Sequence, residues 1–313
     1  VSAPGIAATQ ADPLEWPSSP WECAAPESYV LLHFQKYQAN KALKLGVLEL
    51  IARKKFTLVD VARRTALSRR KRDSLLTSGT DNARLTHTPL TLASLRDVFT
   101  ALPSKTFERW DQTPPQEAFG VLVSEFATGV VKQLGGSVDG YVDKVVRPTL
   151  VERGWVLRES YRVLGVIPAK RWALTTAGVA AQGDLLWRIQ YGNRELGKLV
   201  DDDPARAVAF LGLAGAAVLL MDDARPHLQR LRERLEAGAQ PPSLADTTSM
   251  GIMDGGGAGA VDLGGLDGAG GLDLGALDAV DAAFSGIDAG VDAGAGGGDG
   301  GSGGDGGGGS GGD

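Results

Sequence analysis

The sequence predicts an α+β chain, mostly helical, made of two helix-and-hairpin units, a helical C-terminal region and a disordered Gly/Asp-rich tail. Three observations predict it. Apolar residues recur at helical spacing in runs that twice give way to short β arms. Composition changes near residue 241: from Gly251 to Asp313, glycine fills 27 of 63 positions, out of 44 glycines in all 313 residues. Charge divides at the same place, since every Lys and Arg precedes Pro241 while 12 Asp and no Glu follow it. The first 240 residues therefore carry +6 and the remainder −12.

Residues 1–26 hold five prolines with Trp16 and Trp21, an extended lead-in whose tryptophans are expected to pack onto the body. The first unit spans 27–88. Val30, Phe34 and Tyr37 form one helical stripe; Leu43, Val47, Leu48 and Ile51 form another after Asn40, read as an N-cap. Phe56 to Val61 reads as a strand, followed by a basic run toward the polar stretch Thr77 to Thr88.

The second unit spans 89–175. Leu92 to Leu102 marks a helix stopped by Pro103, and Pro114 and Pro115 are expected to precede a helix from Gln116 to Leu134 closed by Gly135 and Gly136. Ser137 is placed to cap a third helix running to Leu150, with Pro148 imposing a kink or an early end and Gly154 terminating it. Short β arms follow at Trp155 to Leu157, Tyr161 to Ile167 and Arg171 to Leu174, with turns around Arg158 to Ser160 and at Pro168. Residues 176–240 read as helical and packed on the second unit. A long helix capped by Thr175 or Thr176 runs toward Val200; Asp203 and Pro204 open an apolar helix over Ala207 to Met221, in which Gly212 and Ala216 admit a close neighbour; Leu228, Leu231 and Leu235 line a last one. Residues 241–313 form the tail, too poor in apolar surface to offset the entropy of ordering glycine.

The segment Trp172-Ala173-Leu174-Thr175-Thr176-Ala177-Gly178 resembles the aromatic-x-Leu-Thr-x-x-Gly stretch that closes the wing in many bacterial winged-helix proteins. Each unit therefore reads as winged-helix-like. The first is a rougher copy, because Gly46 to Arg53 followed by a strand mirrors Leu150 to Gly154 followed by its wing. The stretch from Leu150 to Trp172, with Val151-Glu152-Arg153-Gly154 and Arg162 to Pro168, resembles bacterial members of the Golgi phosphoprotein 3-like family. The layout is also similar to uncharacterised actinobacterial membrane-associated proteins with two small winged-helix-like units, an Asp-Pro-initiated apolar helix and a Gly-rich C-terminus. The Golgi family resemblance implies a phosphoinositide site made by a tryptophan, an arginine nine residues later and two basic residues on a later helix. The matching positions here hold Phe34, Leu43, Gly140 and Asp143, so that site is not carried over.

No HExxH, CxxC, P-loop or EF-hand pattern precedes the tail. Asp201 to Asp203 reads as a helix start and not as a metal site, and His33 as a packed side chain. No catalytic, cofactor-binding or metal-binding residue is assigned. In the tail, Val261-Asp262, Leu266-Asp267, Leu272-Asp273, Leu277-Asp278 and Ile287-Asp288 repeat an apolar-Asp pair at irregular spacing, which favours a solvated linker over a calcium-binding roll. The candidate contacts with an anionic surface or nucleic acid are Arg63, Arg64, Arg69, Arg70, Lys71, Arg72, Lys144 and Arg147. The expectation is a non-enzymatic binding or adaptor module docking on a protein partner or an anionic lipid surface; a winged-helix DNA-binding regulator is the alternative. The longest apolar run is too short to span a bilayer and no secretory leader is visible, so the expected location is cytoplasmic, or peripheral at the inner membrane face.

Overall fold

A computed structural model describes residues 19–64, 70–79, 89–110, 112–163, 167–222 and 224–239. Trp16, Arg69, His87, the side chain of Arg64 and the whole tail lie outside the described residues. The fold is α+β with an antiparallel four-stranded sheet and a separate hairpin.

The first region comprises α1 (Ala25–Leu32), α2 (Ala39–Ala52) and the hairpin β1 (Phe56–Arg64) with β2 (Arg70–Ser78). Gln38, and not Asn40, precedes α2 as its N-cap. After α3 (Leu90–Ala101) come β3 (Lys105–Arg109) and β4 (Glu117–Leu122), then α4 (Val123–Leu134). The expected helix from Gln116 to Leu134 is thus a strand over its first third. Glu117 to Leu122 finds partners on both sides: β4 pairs with β3 from Lys105↔Gly120 to Glu108↔Glu117, and with β2 at Leu75↔Leu122 and Leu76↔Val121. β1 pairs with β3 at Val61↔Arg109 and Ala62↔Glu108, closing the order β1-β2-β4-β3 into a small barrel. Val61, Leu75, Ala118 and Leu122 fill its interior with Val59 and Phe107. Gly120 allows the closure, since a Cβ there would lie 2.1 Å from the carbonyl oxygen of Leu76. The sheet therefore runs across the boundary expected at residues 88 and 89.

The next helical stretch is α5 (Asp139–Tyr141), a π turn (Val142–Val146) and α6 (Arg147–Glu152) in one continuous run. Pro148 lacks the N–H that the carbonyl four residues earlier needs, and the wider π turn just ahead of it absorbs that defect. Ser137 Oγ accepts from the Gly140 N–H at 3.3 Å. β5 (Val156–Val163) and β6 (Ile167–Leu174) form the second hairpin, in register from Val156↔Leu174 to Val163↔Ile167. Arg158 to Ser160 belong to the strand, so the turn expected there is absent; the whole run pairs with β6 instead.

The mirror between the two regions extends to the backbone. At the end of α2 the N–H groups of Arg53, Lys54 and Lys55 donate to Glu49, Ile51 and Leu50; at the end of α6 those of Arg153, Gly154 and Trp155 donate to Thr149, Val151 and Leu150. Each residue has its counterpart a hundred positions later. Lys54 (φ 54°) and Gly154 (φ 73°) both take the left-handed conformation that ends a helix and turns the chain into a hairpin. Each hairpin closes on the same carbonyl: Gly79 N–H on Lys55, Thr175 N–H on Trp155.

Thr175 caps α7 (Thr176–Asp202), accepting from Gly178 N–H at 2.9 Å, and Asp203 caps α8 (Pro204–Ala214), accepting from Arg206 N–H at 3.0 Å. The expected single helix to Met221 breaks at Gly215 (φ 53°) into a 3-10 turn, Gly215–Leu220, before α9 (Ala224–Ala239). The break lets Trp21 N–H reach the Leu213 carbonyl at 2.9 Å. Close approach falls at Gly192, against Met221 and Phe210, and not at Gly212, which has open space. The main core draws on both regions and on the C-terminal helices, from Trp21 through Leu50, Phe126 and Tyr141 to Phe210 and Leu231. Among the described residues, no helix is long and apolar enough to cross a membrane.

Candidate functional site

The register of β1 with β2 sets Arg63 directly opposite Lys71, Arg64 opposite Arg70 and Ala62 opposite Arg72. Side chains alternate along a strand, so Arg70 and Arg72 share one face and Arg63 and Lys71 the other, the latter continuing the face that carries Val59, Val61 and Leu75. Like charges directly opposite destabilise a strand pair, and the protein answers with carboxylates from neighbouring positions. Arg70 meets Glu108 at 3.3 Å and lies 5.9 Å from the centre of the Trp110 ring; Arg63 meets Asp73 at 3.5 Å; Arg72 pairs with Asp60. The three guanidinium side chains stay 53–58% exposed. Lys71 is exposed and has no ion-pair partner among the described residues.

The other two sequence candidates do not join this surface. Arg147, 14% exposed, pairs with Asp143 and lies 5.0 Å from the Tyr37 ring centre and 5.4 Å from that of Trp172. It is a packing residue that ties α6 to the second hairpin and to the turn after α1. Lys144 is exposed, but its Nζ lies against Gly135, the C-cap of α4, where a cation complements the helix dipole.

Two cations outside the basic run of the sequence do join Arg63. A groove of about 320 Å³ runs between the sheet and α4, with Arg63, Lys105 and Lys132 around it, Leu102, Pro103 and Val121 as its apolar lining, and Ser124, Glu125 and Thr128 from the first turns of α4. Lys105 Nζ donates to Glu125 at 2.6 Å, while Lys132 is exposed with no ion-pair partner among the described residues. A larger groove, about 590 Å³, lies between the hairpin base and α3, lined by Lys55 and Arg96 together with Asp97 and two phenylalanines, Phe56 and Phe99.

A second polar group sits deep in the core. Glu49 Oε2 accepts from the Ala25 N–H at 2.6 Å, capping α1 from another helix, because Ala24 has no side chain to do so; its Oε1 accepts from Arg53 Nε and Nη2 at 2.9 and 2.7 Å. Glu27, fully buried, accepts from Thr91 Oγ1 at 2.6 Å, and its Oε2 lies 3.4 Å from Arg153 Nε with no hydrogen bond. Burial pushes both carboxyls above the ordinary range, against the pull of Arg53 on Glu49 and of Thr91 and Arg153 on Glu27. These groups bind helices together; neither groove described above is lined by them. Asp201, from the acidic run before α8, is taken by Arg230 and Arg234 of α9. His33, expected to be packed, is exposed; its ring lies 4.7 Å from that of Tyr29, and its pKa is lowered by partial desolvation and by Lys41.

No family model matches the chain, and no curated protein matches it.

Proposed function

We propose that this chain is a non-enzymatic binding or adaptor module, built on winged-helix-like units, that docks on a protein partner or an anionic membrane surface. The observation that carries the reading is the end of the β1–β2 hairpin, where Arg63 opposes Lys71 and Arg64 opposes Arg70 in register. Four cations with described side chains, Arg63, Arg70, Lys71 and Arg72, stand against three nearby carboxylates, Asp60, Asp73 and Glu108. The carboxylate pairs are exposed, each worth about 0–1 kcal/mol, so an incoming anion can replace them at little cost. Basic residues near anionic lipid contribute about 1 kcal/mol each. Pairing of β1 with β3 at Val61 and Ala62 anchors the strand just before Arg63, so less backbone ordering remains to be done on binding.

Flotation with vesicles of anionic phospholipid at low salt tests the membrane version. Full-length protein and a chain ending at Gly238 are expected to float, the shorter one more completely; if neither binds, the surface is not a membrane site and the protein-partner version, read by pulldown, stands alone.

The winged-helix DNA-binding reading rests on the same hairpin, since phosphates are also anions. Its weakness is the helix that would enter a groove: Arg147 is engaged by Tyr37 and Trp172, and Asp139 and Asp143 stand exposed on the same run. It predicts duplex binding that weakens with salt. Changing Arg69, Arg70, Lys71 and Arg72 to Ala should then reduce the slope of log K against log salt by about 0.9 for every phosphate no longer neutralised.

A further inference from the structure

We infer that the groove formed by Arg63, Lys105 and Lys132 is an intramolecular docking site for the chain's own C-terminal apolar-Asp pairs. The inference rests on the docking reading in one respect, that Arg63 belongs to both surfaces, so a tail seated in the groove competes with an external anion.

The groove's chemistry is mixed in a particular way. Leu102, Pro103 and Val121 offer an apolar lining, and three cations stand around it against one carboxylate, Glu125. Ser124 and Glu125 place the first turn of α4 there as well, and the adjacent N-cap, Leu122, has no polar side chain to satisfy that end. A ligand that fits presents one aliphatic side chain next to one carboxylate. The sequence after α9 contains that unit seven times, Val261-Asp262, Leu266-Asp267, Leu272-Asp273, Leu277-Asp278, Val280-Asp281, Ile287-Asp288 and Val291-Asp292, in a stretch with no Lys, Arg or Glu. Its aliphatic residue meets the apolar lining while its carboxylate meets Lys132, which has no ion-pair partner among the described residues, or replaces Glu125 at Lys105.

Reach is not limiting. Residues 240–260 separate α9 from the first pair, and fully extended they span up to about 70 Å, against a radius of gyration of roughly 17 Å for a body of this size. Tethering supplies an effective concentration on the order of millimolar, so a contact too weak to capture a free peptide is populated within the chain. The irregular spacing of the pairs, unsuited to a repeating fold, is immaterial to a groove that takes one pair at a time. Seven interchangeable pairs raise the occupancy of the site without any one of them having to be fixed there.

Zero-length carbodiimide coupling of the full chain at high dilution, mapped by mass spectrometry, tests it. Amide links are expected to concentrate between Lys132 or Lys105 and Asp262 to Asp292, with few at Lys36, which is exposed but outside the groove. A variant keeping every Asp but carrying Val261→Ser, Leu266→Ser, Leu272→Ser, Leu277→Ser, Val280→Ser, Ile287→Ser and Val291→Ser is expected to lose those links. Links spread evenly over exposed lysines, or undiminished in the serine variant, mean bulk charge attraction and overturn the inference. Links whose yield rises with protein concentration mean the tail of a second copy and overturn it too. Vesicle flotation of the same variant separates the two readings. Tighter binding than the parent chain supports competition at Arg63, and equal binding overturns it, whereas failure of both chains to float removes the membrane docking while leaving the coupling result to stand or fall alone.

Discussion

Arg147 is a candidate contact by sequence and a packing residue by structure, so replacing it should damage the fold and spare the docking. Its guanidinium lies within reach of two aromatic rings, Tyr37 and Trp172, at 5.0 and 5.4 Å, each such contact worth about 0.5–1 kcal/mol or more when shielded from water. The pair with Asp143, whose carboxylate is half exposed, adds about 0.3–0.5 kcal/mol. With the packing of its covered stem, Arg147→Ala should cost about 2 kcal/mol. For a domain of this size 1 kcal/mol moves the midpoint by about 2–4 °C, so the thermal midpoint should fall by about 4–8 °C. Arg147→Lys should recover less than half, because an ammonium cannot lie flat over either ring. Circular dichroism melts give the stability, and flotation below the midpoint gives the docking. Lys71→Ala is the converse, with stability within about 0.5 kcal/mol of the parent and weaker docking. If Arg147→Ala leaves the midpoint unchanged and abolishes docking, Arg147 is a contact residue and the packing argument fails.

The buried carboxyls give a pH dependence of definite sign. Glu27 titrates above its unfolded value because burial disfavours its charge, so its contribution to stability is full below the ordinary carboxylate pKa and is lost as pH rises through the raised folded value. Glu27→Gln, which cannot ionise, should gain on the parent as pH rises through that window; a variant that instead gains on the parent as pH falls would show that Glu27 is held charged. Gly120→Ala should cost about 1–3 kcal/mol, because its Cβ would press on the Leu76 carbonyl and the strands must part; a urea midpoint like the parent's would mean that the closure of the barrel is not rigid. Lys54→Gly, which installs what the second copy already has at Gly154, should be neutral to stabilising by up to about 1 kcal/mol at an unchanged m-value, whereas Gly154→Ala should destabilise.

The parts of this fold legible in the sequence are those with local causes. Thr175, Asp203 and Pro204 start helices by satisfying N–H groups within one turn, and Gly154 ends one by its φ; the structure places each where the pattern did. Trp172, at the close of the second hairpin, packs against the core. The misses have remote causes. β3 and β4 are five and six residues long, too short to carry a period, and β4 is held by residues more than forty positions earlier in β2. The pair Pro114-Pro115, which reads as a helix entry, precedes a strand because Glu117 to Leu122 has two open edges to join. Likewise Glu49 reads as a polar position on α2, and nothing within one turn shows that it caps α1 twenty-four residues away.

The same distinction governs the candidate site. A run of basic residues shows in sequence as charge, but whether that charge is available depends on acids delivered by other strands. Glu108 reaches Arg70 from β3, thirty-eight positions on, while Lys105 and Lys132 come to Arg63 from a strand and a helix that the linear pattern does not connect to it. The composition arithmetic, +6 against −12, says only that the two parts of the chain attract. Closing β1 and β2 onto β3 and β4 makes that attraction specific, because it brings an apolar lining up beside the cations, and an apolar lining distinguishes Leu-Asp from Gly-Asp where charge alone does not. Serine in place of the seven aliphatic residues therefore isolates the structural contribution: it leaves the arithmetic untouched and removes only what the fold adds to it.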